Sequence, residues 1–117
     1  MKNIFITEGD PTGVSYEIFD RAIDLLQKKS NRFQFIFISS QNKIISEYEK
    51  NFIVVESNAN LEKVIFAKSN SKIIFYKNSI LNKKEEKEIR VGKPSTVSGK
   101  VAYASLLTGI ALQKILG

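Results

Sequence analysis

Short runs of β-branched and aromatic residues alternate along this chain with stretches in which apolar residues recur every three or four positions. That rhythm predicts strands alternating with helices. The first run, Ile4-Phe5-Ile6-Thr7, is too short for a helix and suits a buried strand. Gly9, Pro11 and Gly13 then turn the chain, with Pro11 fixing its own φ and pushing Asp10 to an extended conformation. Helical spacing follows: Ile18, Phe19, Ala22, Ile23 and Leu26 share one face, and Glu17, Asp20, Arg21, Asp24 and Gln27 the other. After a polar break at Lys28 to Arg32, Phe33 to Ile38 reads as a second strand whose near-continuous apolar character implies burial on both faces.

The rhythm continues with a helix predicted over Lys43 to Lys50, a third strand over Phe52 to Val55, and a fourth over Ser71 to Tyr76. Ser57 to Asn60 reads as a loop, and Leu61 to Ala67 is ambiguous between a short helix and coil. Asn78 to Arg90 is a charged connector, read as a surface loop. Beyond Pro94, Ser95 can cap a long helix in which Val97, Val101, Ala102, Leu106, Leu107, Ile110, Ala111 and Ile115 repeat at helical spacing. Tyr103, Ala104, Leu112 and Leu116 widen its apolar surface beyond half the circumference, so the helix 97–116 is expected to be covered on several sides, one of them by a second copy of the chain. The expected fold class is α/β, a three-layer sandwich with a mainly parallel sheet, residues 1–117 forming a single partial domain.

Composition narrows the chemistry. The 117 residues contain no cysteine and no histidine. Disulfides, thiolate catalysis and cysteine-ligated metal sites are thereby excluded, and the usual general base and commonest metal ligand are missing. A net charge of +6 raises the question of nucleic acid. However, Lys83, Lys84, Lys87, Arg90 and Lys93 are interleaved with Glu85, Glu86 and Glu88, which describes a solvated surface, so no nucleic-acid partner is expected. No run approaches ~20 apolar residues and the amino terminus lacks a signal-peptide pattern, so no membrane association is expected and the default location is cytoplasmic.

Candidate binding residues follow from position. Thr7 ends the first strand, where ligands of α/β sheets gather. Asp10 and Glu17 can contact a ligand at the turn, or serve as a turn residue and a first-turn helix charge. Gly9 and Gly13 are conformational residues, and their spacing falls short of the full Gly-x-Gly-x-x-Gly fingerprint. Lys93 and Ser95 can hold a phosphate at the start of the last helix, or act as a solvated lysine and a plain N-cap. The four tyrosines read as packing residues, and Asp20 with Asp24 as solvated carboxylates.

Two motifs carry a family resemblance. Ile6-Thr7-Glu8-Gly9-Asp10-Pro11-Thr12-Gly13-Val14-Ser15-Tyr16-Glu17-Ile18 resembles the opening pattern of the 4-hydroxythreonine-4-phosphate dehydrogenase (PdxA) family. Gly92-Lys93-Pro94-Ser95-Thr96-Val97-Ser98-Gly99-Lys100-Val101-Ala102-Tyr103 is similar to a second motif of that family, in the right order. The resemblance implies an isocitrate/isopropylmalate dehydrogenase-like fold and a homodimer. It also implies oxidation, dependent on NAD or NADP and a divalent metal, of a phosphorylated hydroxy-amino acid in pyridoxal 5′-phosphate (vitamin B6) biosynthesis. Ser15 and Tyr16 replace that family's Gly-Pro, and Val97 stands where an acidic residue is frequent. The family's metal ligands are histidines further along the chain, so none of the metal ligands or catalytic residues is expected within 1–117. The chain is read as the amino-terminal portion of such an enzyme or a truncated relative. On its own it is expected to be inactive and to bind no cofactor tightly. The alternative is a non-catalytic α/β folding or interaction module derived from the family.

Overall fold

Four strands, β1 (Lys2–Thr7), β2 (Phe33–Ser39), β3 (Ile53–Val55) and β4 (Ile73–Lys77), form one sheet in the order β1-β2-β4-β3 in the computed structural model. Every pairing is parallel. The structure describes residues 2–8, 20, 21, 23, 25, 26, 33–66, 73–89 and 93–116. Four helices are labelled: α1 (Asn42–Tyr48), α2 (Asn58–Phe66), α3 (Lys83–Lys87) and α4 (Thr96–Leu116). Residues 20, 21, 23, 25 and 26 are also helical.

The apolar runs of β2 and β4 are explained by burial on both faces. Alternate side chains of a strand point to opposite sides. Ile36 and Ile38 of β2 and Ile74 and Tyr76 of β4 join Val55, Leu61 of α2 and Leu112 of α4 on one face. Phe37, Ile73 and Phe75 point to the other, against Ile23, Leu26, Tyr48 and Phe52. The result is the three-layer arrangement that the sequence predicts, with a wholly parallel sheet. On the second face the Tyr48 ring stacks on Phe75 with centroids 4.6 Å apart, and Phe37 meets Phe75 edge-on at 5.5 Å. The Tyr48 hydroxyl donates to Asp20 Oδ1 at 2.7 Å, tying α1 to the helical residues before β2. Burial first, then the bond to Asp20 and its charge, raise the Tyr48 phenol above its ordinary range.

Two loop expectations need correction. The segment read as a loop at Ser57 to Asn60 contains the first turn of α2: Ser57 Oγ accepts from the Asn60 N–H at 3.2 Å, as an N-cap does. The charged connector Asn78 to Arg90 contains α3, started by a reciprocal capping box. The Glu85 N–H donates to Asn82 Oδ1 at 2.8 Å, and the Asn82 N–H donates to Glu85 Oε1 at 3.3 Å. Lys100 of α4 donates to the same carboxylate at 3.0 Å. These contacts, led by Lys100, hold the Glu85 carboxyl below the usual range.

Helix α4 lies on the sheet through a narrow stripe, Ser98, Val101, Ser105, Gly109 and Leu112. Small residues in that stripe let the helix approach closely. A Cβ at Gly109 would sit 2.8 Å from Thr7 Cγ2 and 3.5 Å from Ile38 Cδ1. Tyr103, Leu106, Leu107 and Ile110 point away and are exposed. No helix among the described residues is long and apolar enough to cross a membrane.

Candidate functional site

The carboxyl ends of β1, β2 and β4 carry a buried polar layer. Glu8, the residue after β1, is wholly buried. Its Oε1 accepts from the Ser40 N–H at 3.0 Å, and its Oε2 accepts from the Ser39 hydroxyl at 3.4 Å. The Glu8 N–H donates to Ser105 Oγ of α4 at 3.2 Å. Asn78, just past β4, donates its N–H to the Ser39 carbonyl at 2.7 Å and its side-chain amide to Thr108 Oγ1 at 3.1 Å. Three strand ends and one helix are thus joined through polar groups rather than apolar packing.

Two side-chain atoms in this layer have no partner. Ser40 Oγ and Gln41 Nε2 are buried without a hydrogen bond, their residues 3% and 8% exposed. Such a group costs about 1–3 kcal/mol relative to a satisfied one. Gln41 occupies the N-cap position of α1, yet its side chain makes no capping bond.

Topology gives this layer its significance. The connection leaving β2 enters α1, whose Tyr48 packs on the Phe75 face. The connection leaving β4 leads to α4, whose Leu112 packs on the Ile74 face. Neighbouring strands β2 and β4 therefore send their chains to opposite sides of the sheet. Their carboxyl ends form the kind of crevice where open α/β sheets bind ligands. Ser39 ends one of these strands, with Ser40 and Gln41 following it, and Asn78 follows the other.

Of the residues expected from the sequence, Thr7 lies beside this layer, half-buried, with its methyl against Gly109. Asp10, Gly13 and Glu17 lie outside the described residues. Lys93 and Ser95 are exposed at the start of α4. Ser95 Oγ accepts from the Ser98 N–H at 3.1 Å, and the Ser95 N–H donates to Ser98 Oγ at 2.8 Å, a reciprocal cap. Ser95 precedes Ser105 by ten residues, about 15 Å along the helix axis, so Lys93 and Ser95 are not gathered with Thr7 and Glu8. The sequence reading did not single out Glu8, Ser40 or Gln41. The available signal was their position: polar residues directly after two apolar strands, where strand ends face ligands. Among the described residues no three His, Cys, Asp or Glu side chains converge, so this part of the chain does not fit the divalent metal implied by the resemblance.

The architecture is that of a three-layer α/β protein with a parallel sheet and a polar switch-point edge. The same fold occurs in a candidate 4-hydroxythreonine-4-phosphate dehydrogenase from Salmonella typhimurium, which superimposes over 99% of this chain with a TM-score of 0.67 at 22% identity. The chain spans 34% of the length of that protein. No protein-family profile and no curated protein matches the sequence.

Proposed function

We propose that this chain is the amino-terminal portion of an oxidoreductase of the 4-hydroxythreonine-4-phosphate dehydrogenase type. The whole enzyme would oxidise the secondary hydroxyl of 4-phosphohydroxy-L-threonine with NAD or NADP and a divalent metal, on the path to pyridoxal 5′-phosphate. The observation that carries this reading is the fold shared along 99% of the chain with a candidate member of that enzyme class, together with two sequence motifs that resemble the family in order. In this reading Thr7, which ends β1, contacts substrate or cofactor together with Asp10, Gly13 and Glu17, and Lys93 with Ser95 contacts phosphate. The metal ligands are supplied from outside residues 1–117, and the isolated chain does not turn over. The outward apolar side of α4, formed by Tyr103, Leu106, Leu107 and Ile110, is assigned to a second copy.

The deciding experiment reads the encoding transcript beyond the Gly117 codon and assays the product. An in-frame continuation with spaced histidines, whose full product reduces NAD(P)+ only with this substrate and a divalent metal, is the expected result. Turnover by the 117-residue chain alone, or a full product with no such activity, refutes it. For the second copy, sedimentation velocity should show a dimer that Ile110→Glu converts to monomer. A monomer at every concentration of the unmodified chain removes that assignment.

A further inference from the structure

We infer that Glu8 is a positioning residue: its side chain holds the end of β1, and with it Thr7, at a fixed place against the carboxyl end of β2. The use of that place, to present Thr7 to substrate or cofactor, rests on the dehydrogenase reading, whereas the holding rests on the bonds themselves. The parallel ladder between β1 and β2 ends at the pair Thr7 and Ile38. Beyond that pair the Glu8 side chain takes over the tie. Its Oε2 accepts from the Ser39 hydroxyl at 3.4 Å and its Oε1 from the Ser40 N–H at 3.0 Å. The Glu8 N–H donates to Ser105 Oγ at 3.2 Å, so the same residue is tied to α4. Ser39 is held in turn from the far side of β2, where its carbonyl accepts from the Asn78 N–H at 2.7 Å. Glu8 stands where the chain leaves Thr7 for Gly9 and the candidate contacts Asp10 and Gly13.

Taking a carboxylate out of water is costly, and an apolar side chain fills a buried place without that cost. Glu8 is nevertheless wholly buried. What its carboxylate adds is direction at a set reach. The Ser40 N–H can only donate and needs an acceptor at one spot, whereas the Ser39 hydroxyl can donate or accept. Reach therefore matters more than charge. Glutamine has the same reach, with an oxygen for the Ser40 N–H and an amide N–H that the Ser39 hydroxyl can accept. Aspartate keeps the charge but is shorter by one carbon–carbon bond, about 1.5 Å. It can meet Ser39 and Ser40 only by drawing the end of β1 out of place. A misplacement of about 1 Å costs up to about 100-fold in rate when the displaced group orients a reactant.

The test compares Glu8→Gln with Glu8→Asp, with circular dichroism used to count only folded protein. In the 117-residue chain, NMR reads two things: hydrogen exchange of the Ser40 amide, and the nuclear Overhauser contact between the Thr7 methyl and Gly109, which lie together in the fold. Glu8→Gln should keep both, while Glu8→Asp should speed Ser40 exchange about tenfold and weaken the Thr7 contact. In the full-length product, kcat/KM for 4-phosphohydroxy-L-threonine should stay within about threefold in Glu8→Gln and fall about 10- to 100-fold in Glu8→Asp. Glu8→Gln losing as much as Glu8→Asp in the chain, or Glu8→Asp losing nothing there, overturns the holding role. The same result in turnover overturns the positioning of Thr7. A full-length product that is inactive with Glu8 intact refutes the dehydrogenase reading instead, and the NMR comparison then decides the role of Glu8 by itself.

Discussion

Replacing Gly109 with alanine tests the closeness of α4 to the sheet. In most helices the change stabilises by about 0.5–1 kcal/mol, because glycine loses more backbone freedom on folding. At Gly109 the new Cβ would lie 2.8 Å from the Thr7 methyl, nearer than such atoms pack, and 3.5 Å from Ile38 Cδ1. Thr7 is β-branched and stiff about χ1, and Ile38 is wholly buried, so neither yields easily. Overpacking of this kind costs about 1–3 kcal/mol, which outweighs the propensity gain and leaves a net loss of about 1–2 kcal/mol. Gly99 on the same helix has nothing within 4 Å of its built Cβ and serves as the control. Gly99→Ala should raise stability or leave it level. Urea denaturation of the two variants should therefore give opposite signs, with a gap close to the full overpacking cost. Thr7→Ser removes the clashing methyl, and in the Gly109→Ala background it should recover most of the loss. A Gly109→Ala variant as stable as Gly99→Ala, or no recovery from Thr7→Ser, would show that α4 does not pack against β1 as described.

Glu8→Ala should cost about 2–3 kcal/mol in urea denaturation, because it strands the buried Ser40 N–H that donates to Glu8 Oε1. The phenols of Tyr48 and Tyr76 are both raised in the folded chain, so their neutral forms are favoured by folding. Their contribution is full below about pH 10, the unfolded tyrosine value, and is lost as pH rises through the folded values. Stability should accordingly fall in strong alkali, less steeply in Tyr48→Phe, as followed by circular dichroism against pH. Glu85 behaves in the opposite sense: its lowered carboxyl contributes above the unfolded value, and that contribution is lost as pH falls through the folded one. Lys100→Gln should return the Glu85 titration toward the ordinary glutamate range in a carbon-detected NMR titration.

The sheet was legible because β2 and β4 are buried on both sides, and such strands write themselves as apolar runs whatever their neighbours are. The helix α3 was hidden by composition. Its Asn82-x-x-Glu85 signature stands in the sequence, but Lys83 to Lys87 has no apolar side to announce a helix. Ser57 looked like loop chemistry for the same reason that it caps α2: a side-chain oxygen that bonds nearby backbone. Glu8 went unmarked because its burial depends on Ser40 and Ser105, which lie 32 and 97 residues away. No local pattern records such partners. The inward side of α4 was also illegible, since a helix apolar over more than half its circumference does not say which stripe meets the sheet. Ser98, Ser105 and Gly109 hold that place because closeness, rather than side-chain size, decides the contact.

The way α4 closes over β1 has a consequence for how the chain is made. Among the described strands β1 lies at an edge, paired with β2, and its cover arrives from α4, far along the sequence. Asn3 donates to the carbonyl of Leu116 across 113 residues, and Glu8 to Ser105 across 97. During synthesis β1 waits, with an open face, until α4 has left the ribosome. Contacts of such long sequence separation slow folding, and an uncovered strand invites pairing with other chains. Nascent chains stalled before α4 should therefore be the aggregating species and the ones that engage chaperones, while the first half of the sheet is already in register.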